Sequence, residues 1–209
     1  MSVIDMWGSY VYRSKEYDKL RSSYYASIPD DISIYTDGSA IGNNNVNKDT
    51  PAGYGYIVIK GQTGKNHDKG EVLAEVSARV ITDPEHFLWE GATHGSNNTG
   101  ELTAFHAALK EIPIRGNGSF AGKITIYTDS QYAGNIADGS WNPSSNMRLA
   151  RTIQKKWSQL IIAYGKNRLQ WKHIRAHEGY LWNERADHLA YNAAKRVDSV
   201  PLDKWLVDA

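Results

Sequence analysis

The chain has 209 residues, of which 41% are hydrophobic and 22% charged, and its formal net charge is only +1. These values are typical of a globular protein with one domain and additional terminal sequence. The absence of cysteine excludes disulfides and thiolate metal sites. Neither a secretory signal nor an apolar run of about 18 residues is visible in the sequence. We therefore expect a cytoplasmic protein without membrane contact.

The chain divides into three predicted parts: an N-terminal extension at 1–30, a domain at 31–197 and a C-terminal tail at 198–209. The first part has no clear periodicity, and the roles of both end segments are left undetermined. Within the domain, short β-branched and aromatic runs predict strands, and apolar residues at helical spacing predict helices. The predicted strands are 33–37, 53–60, 71–80, 123–128 and 168–174. The predicted helices are 98–112, a short one from 131, 147–162 and 183–196.

This order of elements predicts the fold class. Three consecutive strands, the second and third joined by a hairpin turn at 61–70, form an antiparallel meander. Alternating helices and strands follow, which is typical of parallel pairing. We expect an α/β fold with a five-stranded mixed sheet, in which the meander is joined by parallel strands, flanked by helices.

Charge is distributed unevenly along the chain. No Asp or Glu occurs between Gly139 and His177, although this segment contains eight basic residues. They are Arg148, Arg151, Lys155, Lys156, Lys166, Arg168, Lys172 and Arg175. Such a segment can form a phosphate-facing surface on a nearly neutral molecule, or it can be the solvated face of a helix.

Two predicted strands end in a similar way. The sequence Ile-Tyr-Thr-Asp occurs at 34–37 and again at 126–129, and a small residue follows in both cases. If these strands are parallel neighbours, Asp37 and Asp129 emerge at the same edge of the sheet, where sites of α/β proteins are commonly built. Two such anions repel each other unless a cation compensates. The alternative is that each Asp only starts a turn or caps a helix.

Glu101 and Asp187 add two more carboxylates near predicted helix starts. For each one alone, a favourable interaction with the helix dipole or a capping box is the better interpretation than metal binding. Four acids without a thiolate or a histidine cluster specify oxygen ligation, which suits Mg²⁺ or Mn²⁺.

At this point the sequence resembles the type 1 ribonuclease H family, over roughly residues 31–196. The resemblance is carried by five segments in the family's order, and the ordered set is more specific than any one of them. The segments are YTDGS at 35–39, NNTGEL at 97–102, TDSQY at 128–132, HEG at 177–179 and NERAD at 183–187. It implies a ribonuclease H-like fold and an endoribonuclease that hydrolyses the RNA strand of RNA–DNA hybrids. The implied products have 5′-phosphate and 3′-hydroxyl ends.

The resemblance also implies roles for individual residues. Asp37, Glu101, Asp129 and Asp187 match the family's metal-binding acids, which hold two Mg²⁺ ions, with Mn²⁺ as a possible substitute, for a two-metal displacement. His177 matches a loop histidine that assists proton movement or product departure. The alternative is an ordinary loop histidine.

The implied substrate contacts lie around these acids. They involve Gly38, Ser39, Ser96, Asn97, Asn98, Gln131, Trp141 and Asn183. Amide side chains both donate and accept hydrogen bonds, as reading a 2′-hydroxyl in a wide minor groove requires. Ser96 matches a hydroxyl in a pocket for a DNA-strand phosphate, and Trp141 is a candidate contact for the DNA sugars, with core packing as the alternative.

The sequence departs from the family's pattern in two places. His94 stands where the family often has Arg in the phosphate pocket, and the basic protrusion of bacterial members is shortened to 139–146. We expect weaker affinity for the hybrid unless the basic helix at 148–156 or the N-terminal segment compensates.

Other readings are less consistent with the sequence. A related proofreading exonuclease requires Glu where Ser39 stands, and a type 2 ribonuclease H usually has Asp-Glu where this chain has Asp37-Gly38. A non-catalytic module that binds hybrid or double-stranded RNA on the same fold is the remaining alternative, but it is expected to have lost an acid. We expect a monomer whose partner is the RNA–DNA hybrid, and the sequence identifies no protein partner.

Overall fold

The computed structural model describes residues 2–4, 9–42, 44–61, 63–65, 70–114 and 118–208. The described residues form nine strands: β1 (Ser2–Ile4), β2 (Tyr10–Arg13), β3 (Ser27–Ile28), β4 (Ile32–Ala40), β5 (Ala52–Lys60), β6 (Glu71–Arg79), β7 (Ser119–Phe120), β8 (Ile124–Thr128) and β9 (Leu169–His173). They also form six helices: α1 (Lys15–Ser22), α2 (Asn97–Glu111), α3 (Gln131–Asp138), α4 (Met147–Tyr164), α5 (Leu181–Lys195) and α6 (Leu202–Asp208). None of these helices is both long and apolar enough to cross a lipid bilayer.

The main sheet confirms the predicted α/β fold. Its strand order is β1-β2-β6-β5-β4-β8-β9. Strands β4, β5 and β6 pair antiparallel as a meander, whereas β8 and β9 pair parallel beside β4. The number of strands was predicted wrongly: the described sheet has seven strands instead of five. The additional strands β1 and β2 come from the N-terminal segment, where β2 pairs antiparallel with β6 and extends that edge.

Alternation along the strands divides the core between the two faces of the sheet. On β4, Ile34 faces the larger hydrophobic cluster together with the apolar sides of α1, α2, α3 and α4. Its neighbour Tyr35 faces the smaller cluster, where Trp182 and Ala186 of α5 and Trp205 of α6 pack. Both faces of the central strands are therefore buried, which explains their continuous apolar runs.

Two element boundaries differ from the prediction in ways that affect the site. Strand β4 does not end at Asp37, because its antiparallel pairing with β5 continues to Ala40 opposite Ala52. Helix α2 begins at Asn97, because the Ser96 hydroxyl caps it by accepting a hydrogen bond from the backbone N–H of Thr99. The predicted hairpin turn at 61–70 lies partly outside the described residues.

Candidate functional site

The parallel pair β4–β8 places two carboxylates side by side. Its last paired residues are Thr36 and Thr128, so Asp37 and Asp129 each follow directly after the end of the same ladder. Beyond this point β4 continues to pair only with β5 on its other side. The repeated Ile-Tyr-Thr-Asp sequence therefore corresponds to two strands in matching register, and both aspartates lie at one edge of the β4–β8 ladder.

A close approach between two glycines brings the start of α2 to this edge. A Cβ atom built on Gly38 would lie 1.9 Å from the backbone nitrogen of Glu101, and one on Gly100 would lie 3.0 Å from the Cα of Gly38. Only residues without a side chain allow β4 and α2 this close. Asn97 adds a second connection, because its Oδ1 accepts a hydrogen bond from the Ala40 backbone N–H at 2.8 Å.

Three of the predicted acids form one cluster. Asp37, Glu101 and Asp129 each offer a carboxylate oxygen, and these oxygens lie within 4.8 Å of one another. Asp187, on the second turn of α5, is half-buried and lies outside this group, although its charge raises the pKa of both Asp37 and Asp129. Among the described residues no ion pair involves any of the four acids.

The pKa values of the cluster reflect burial and mutual repulsion. Burial, followed by the negative charge of Asp129, raises the pKa of Asp37 to about 8. Burial and the neighbouring Asp37 raise the pKa of Glu101 well above its ordinary value. Burial also raises the pKa of Asp129. Without a cation, the three carboxylates resist being charged together near neutral pH.

These properties fit a divalent cation bound by oxygen. The Oε2 atom of Glu101 is buried and has no hydrogen-bond partner, so one lone-pair-bearing oxygen is left for a further ligand. Hard cations such as Mg²⁺ favour carboxylate oxygen, and no cysteine is available to select a softer metal. This cluster is therefore the candidate metal centre, in agreement with the metal-binding acids that the sequence resemblance implies.

Two residues around Asp129 complete this side of the site. Asn183 of α5 is 2% exposed, and its Nδ2 donates to Oδ2 of Asp129 at 3.4 Å. Its own Oδ1 is buried without a partner. His173, the last residue of β9, places Nε2 at 3.1 Å from the backbone oxygen of Asp129. Asn183 therefore orients an acid of the cluster, as well as belonging to the predicted substrate-binding set.

His177 lies in the exposed connection between β9 and α5. Its φ angle is 56°, in the left-handed region that few non-glycine residues adopt. The next residue, Glu178, pairs with Lys65 at 3.1 Å and with Arg175 at 3.3 Å. The Lys65 pair connects the loop to the segment between β5 and β6, the Arg175 pair lies within the loop, and the His177 side chain is exposed.

Ser96 belongs to a small polar cluster at the start of α2. Its hydroxyl contacts the Thr99 hydroxyl at 2.8 Å, and Thr99 Oγ1 also accepts a hydrogen bond from Nδ2 of Asn146 at 2.8 Å. Asn146 is buried, has a φ of 49° and accepts through Oδ1 from the Thr93 backbone N–H. His94 is half-buried beside them, with its Nδ1 at 3.1 Å from Thr93 Oγ1. The predicted phosphate pocket thus corresponds to polar residues that join the starts of α2 and α4.

The remaining predicted contacts are distributed around the cluster. Asn98 in the first turn of α2 and Gln131 at the start of α3 are exposed, and Ser39 on β4 is half-buried. Trp141 follows α3 and is 46% exposed, so it is not a core residue. Its backbone N–H donates to the backbone oxygen of Asn135 at 3.0 Å.

Sequence reasoning missed two residues of this region. His173 could have been found, because it ends the third parallel strand at the edge where Asp37 and Asp129 emerge. Asn146 gave a weaker signal: it precedes a helix, but it carries no cap hydrogen bond to that helix. Its side chain instead bonds across to Thr93 and Thr99, which local sequence does not reveal.

Comparisons with known proteins give one consistent answer. The RNase H family model matches residues 29–195. A ribonuclease H of Syntrophomonas wolfei is 30% identical over 174 residues, covering 80% of this chain and 98% of that protein. A ribonuclease H of Pseudoalteromonas atlantica is 29% identical over 177 residues, covering 81% of this chain and 94% of that protein.

Solved structures support the fold. The N-terminal RNase H domain of a Mycobacterium tuberculosis protein has a TM-score of 0.53 at 21% identity, covering 79% of this chain and 94% of that one. The solution structure of the PFV RNase H domain has a TM-score of 0.52 at 20% identity, covering 80% and 96%.

Proposed function

Because the chain belongs to the ribonuclease H family, we propose that it is an endonuclease that hydrolyses the RNA strand of RNA–DNA hybrids with Mg²⁺ at the acidic cluster. The observation that carries this proposal is the grouping of Asp37, Glu101 and Asp129 within 4.8 Å, without a compensating cation among the described side chains. The chain covers nearly the full length of its relatives named ribonuclease H, so the comparison extends to whole proteins.

The acids are proposed to hold two divalent cations. Asp37, Glu101 and Asp129 would hold them together, and Asp187 would contribute a further carboxylate from α5. When bound, Mg²⁺ supplies a Lewis acid that polarises the scissile phosphate and lowers the pKa of the attacking water. Mn²⁺ has similar ligand preferences and would be a substitute.

The surrounding side chains have separate proposed tasks. The Asn183 amide holds the Asp129 carboxylate in one orientation, which keeps the ligand geometry fixed when substrate binds. His177, exposed on its loop, would move a proton or assist departure of the product. Both tasks leave the acids as the groups on which turnover depends.

Substrate selection is proposed to use polar groups on both sides of the cluster. The exposed amides of Asn98 and Gln131 can donate to and accept from a 2′-hydroxyl, which only the RNA strand carries. Ser96, with Asn146 and His94, would hold a phosphate of the DNA strand. Asn97, Gly38, Ser39 and Trp141 complete the proposed contacts. The cytoplasmic location stays a prediction from the sequence.

The test is Asp37→Asn, which removes one charge and little volume. We expect cleavage of a hybrid to fall by at least about 100-fold, the scale of losing one principal electrostatic contribution, while the hybrid Kd measured in EDTA changes little. Lys123→Gln, at an exposed position before β8, is the matched control and should cleave normally. Cleavage by Asp37→Asn at a rate close to wild type would contradict the metal-site proposal.

A further inference from the structure

Helix α4 presents an uncompensated basic face. None of its 18 residues is acidic, and Arg148, Arg151 and Lys155 are exposed along one side. These three side chains line a shallow concave surface together with Met147 and Thr152. No ion pair joins the three to any residue in the described part of the chain.

The surroundings of this surface are also positive. Glu90, in the loop before α2, already pairs with His106 and Lys110, so it is not a counter-charge for α4. Burial, followed by the nearby positive charge of Lys110, lowers the pKa of Lys156 on the same helix. A merely solvated helix face usually carries charges of both signs, which this face does not.

The basic surface begins where the proposed phosphate pocket ends. Asn146 precedes Met147 directly and bonds to Thr99 in the first turn of α2. The Arg148 guanidinium lies 4.6 Å from the centre of the Trp89 ring, a cation–π contact that limits its conformations. From Arg148 to Lys155 the helix rises about 10 Å, which is close to the axial length of about three phosphates of one strand.

We propose that Arg148, Arg151 and Lys155 bind phosphates of the DNA strand beyond the pocket formed by Ser96 and Asn146. This inference rests on the proposed function, because it assigns the surface to the same hybrid. The surface is continuous with the pocket, and its charge is complementary to a nucleic-acid backbone. It replaces the affinity that the shortened segment at 139–146 does not provide.

The test measures binding instead of turnover. The double variant Arg151→Gln/Lys155→Gln removes two charges and leaves Arg148 on its aromatic partner. The control Lys15→Gln/Lys19→Gln removes two exposed charges from α1. Helix α1 contacts Glu111 through Tyr17, at the opposite end of α2 and about 20 Å along that helix from Asn97. Each protein is titrated in EDTA against a fluorescent hybrid of about 18 base pairs, over a range of salt concentrations.

We expect the slope of log K against log salt to decrease by about 1.8 in the α4 variant, that is about 0.9 for each lost phosphate contact. The control should keep the wild-type slope. Single methylphosphonates in the DNA strand should weaken wild-type binding at adjacent positions. In the α4 variant this loss should disappear at the two positions contacted by Arg151 and Lys155 and should remain at the position contacted by Arg148. The same substitutions in the RNA strand should affect both proteins equally.

An unchanged slope in the α4 variant, with normal hybrid binding and cleavage by wild type, would overturn this inference alone. The inference would also be overturned if methylphosphonates in the RNA strand weakened binding by wild type but not by the α4 variant. Failure of wild type to bind or cleave the hybrid would instead overturn the proposed function, and this inference with it.

Discussion

The acids of the site differ in how the fold holds them. Asp37 is 6% exposed and accepts a hydrogen bond from the Gly38 backbone N–H at 2.6 Å, whereas Asp187 is half-buried. Burying several carboxylates together costs stability unless a cation is bound. The free energy of unfolding should therefore depend on pH through these carboxylates.

The pKa of Asp37 in the folded protein is about 8, against about 4 for an unfolded Asp. Between these values the folded state binds more protons than the unfolded state, so the free energy of unfolding falls as pH rises from about 4 to about 8. In EDTA, Asp37→Asn should lack this contribution and should gain about 2 kcal/mol over wild type near pH 8, but little near pH 4. Urea denaturation of both proteins measures the difference.

Divalent cation provides the control for this prediction. The cation binds the folded wild type and thereby adds to its free energy of unfolding. It should therefore remove most of the difference in stability between Asp37→Asn and wild type near pH 8. If wild type in EDTA gained stability relative to Asp37→Asn as pH rose, the assignment of repelling carboxylates would be contradicted.

His177 gives a second prediction at this scale. Its φ of 56° is better tolerated by Asn than by most residues, so His177→Asn removes the imidazole and preserves the loop. We expect kcat to fall by about 100-fold, at the lower end of the range for a lost proton-transfer group, with KM nearly unchanged. Arg175→Gln, which removes an exposed contact of the same loop, should be close to wild type. Unchanged kinetics of His177→Asn would reduce the residue to an ordinary loop histidine.

Residue identity could be predicted well only where local sequence carries the signal. Asp37 and Asp129 could be predicted from the repeated strand sequence that precedes each of them, and in the structure they lie side by side. Asn146 could not be found in this way, because its role arises from hydrogen bonds to Thr93 and Thr99, which lie about 50 residues earlier.

At the scale of elements, the site depends on the contact between β4 and α2. Gly38→Ala would place a methyl group 1.9 Å from the Glu101 backbone nitrogen, so the helix must move away from the strand. We expect a loss of at least about 3 kcal/mol in the free energy of unfolding, together with loss of cleavage. Thermal or urea denaturation measures the first effect and a hybrid cleavage assay the second.

The matched control is Gly64→Ala, because a Cβ at Gly64 meets nothing within 4 Å. This variant should have wild-type stability and activity, or a small gain in stability. A Gly38→Ala protein as stable and active as Gly64→Ala would contradict the close approach on which the cluster depends.

The sequence predicted the type of each domain element better than its ends. Predicted strand 33–37 stops one residue after the end of its parallel pairing with β8, but β4 runs on to Ala40 because β5 continues beside it. The residue pattern of one strand does not show how far its neighbouring strand extends, so it cannot predict where the pairing ends. The predicted start of α2 at 98 was one residue late, because Ser96 is the residue that caps the helix.

At the scale of the whole molecule, both ends of the chain converge on one buried ion pair. Arg185 of α5 and Glu75 of β6 are fully buried and form two hydrogen bonds of 2.9 and 2.7 Å. Tyr10 of β2 donates to Glu75 at 2.7 Å, and the Trp205 ring of α6 lies 5.3 Å from the Arg185 guanidinium. The end segments thus cover the helix that carries Asp187. The division at 30 and 197 stays a prediction.

Glu75→Gln should therefore be severely destabilising. It leaves the Arg185 charge buried without its partner, for which we expect a loss of about 3–5 kcal/mol in the free energy of unfolding. Glu71→Gln in the same strand removes only an exposed pair with Lys60 and should cost less than about 1 kcal/mol. Urea denaturation of both variants gives the comparison, and equal midpoints would contradict the importance of the buried pair.

No sequence pattern could have predicted this arrangement. Glu75 and Arg185 are 110 residues apart, and the local sequence around each one predicts only an exposed charged residue. Strand β2 was missed because Tyr10–Arg13 is short and gains its stability from pairing with β6. Long-range pairing of this kind depends on the complete fold.

The acidic cluster is proposed to catalyse cleavage of RNA only when the RNA is paired with DNA. The most direct measurement is cleavage of one labelled RNA sequence as an RNA–DNA hybrid, as an RNA duplex and as a single strand, each with Mg²⁺ and with EDTA. We predict cutting of the hybrid alone, only with Mg²⁺, to products with 5′-phosphate and 3′-hydroxyl ends. Firm binding of the hybrid without cutting in Mg²⁺ or Mn²⁺ would contradict the claim and indicate a binding module that has kept its acids.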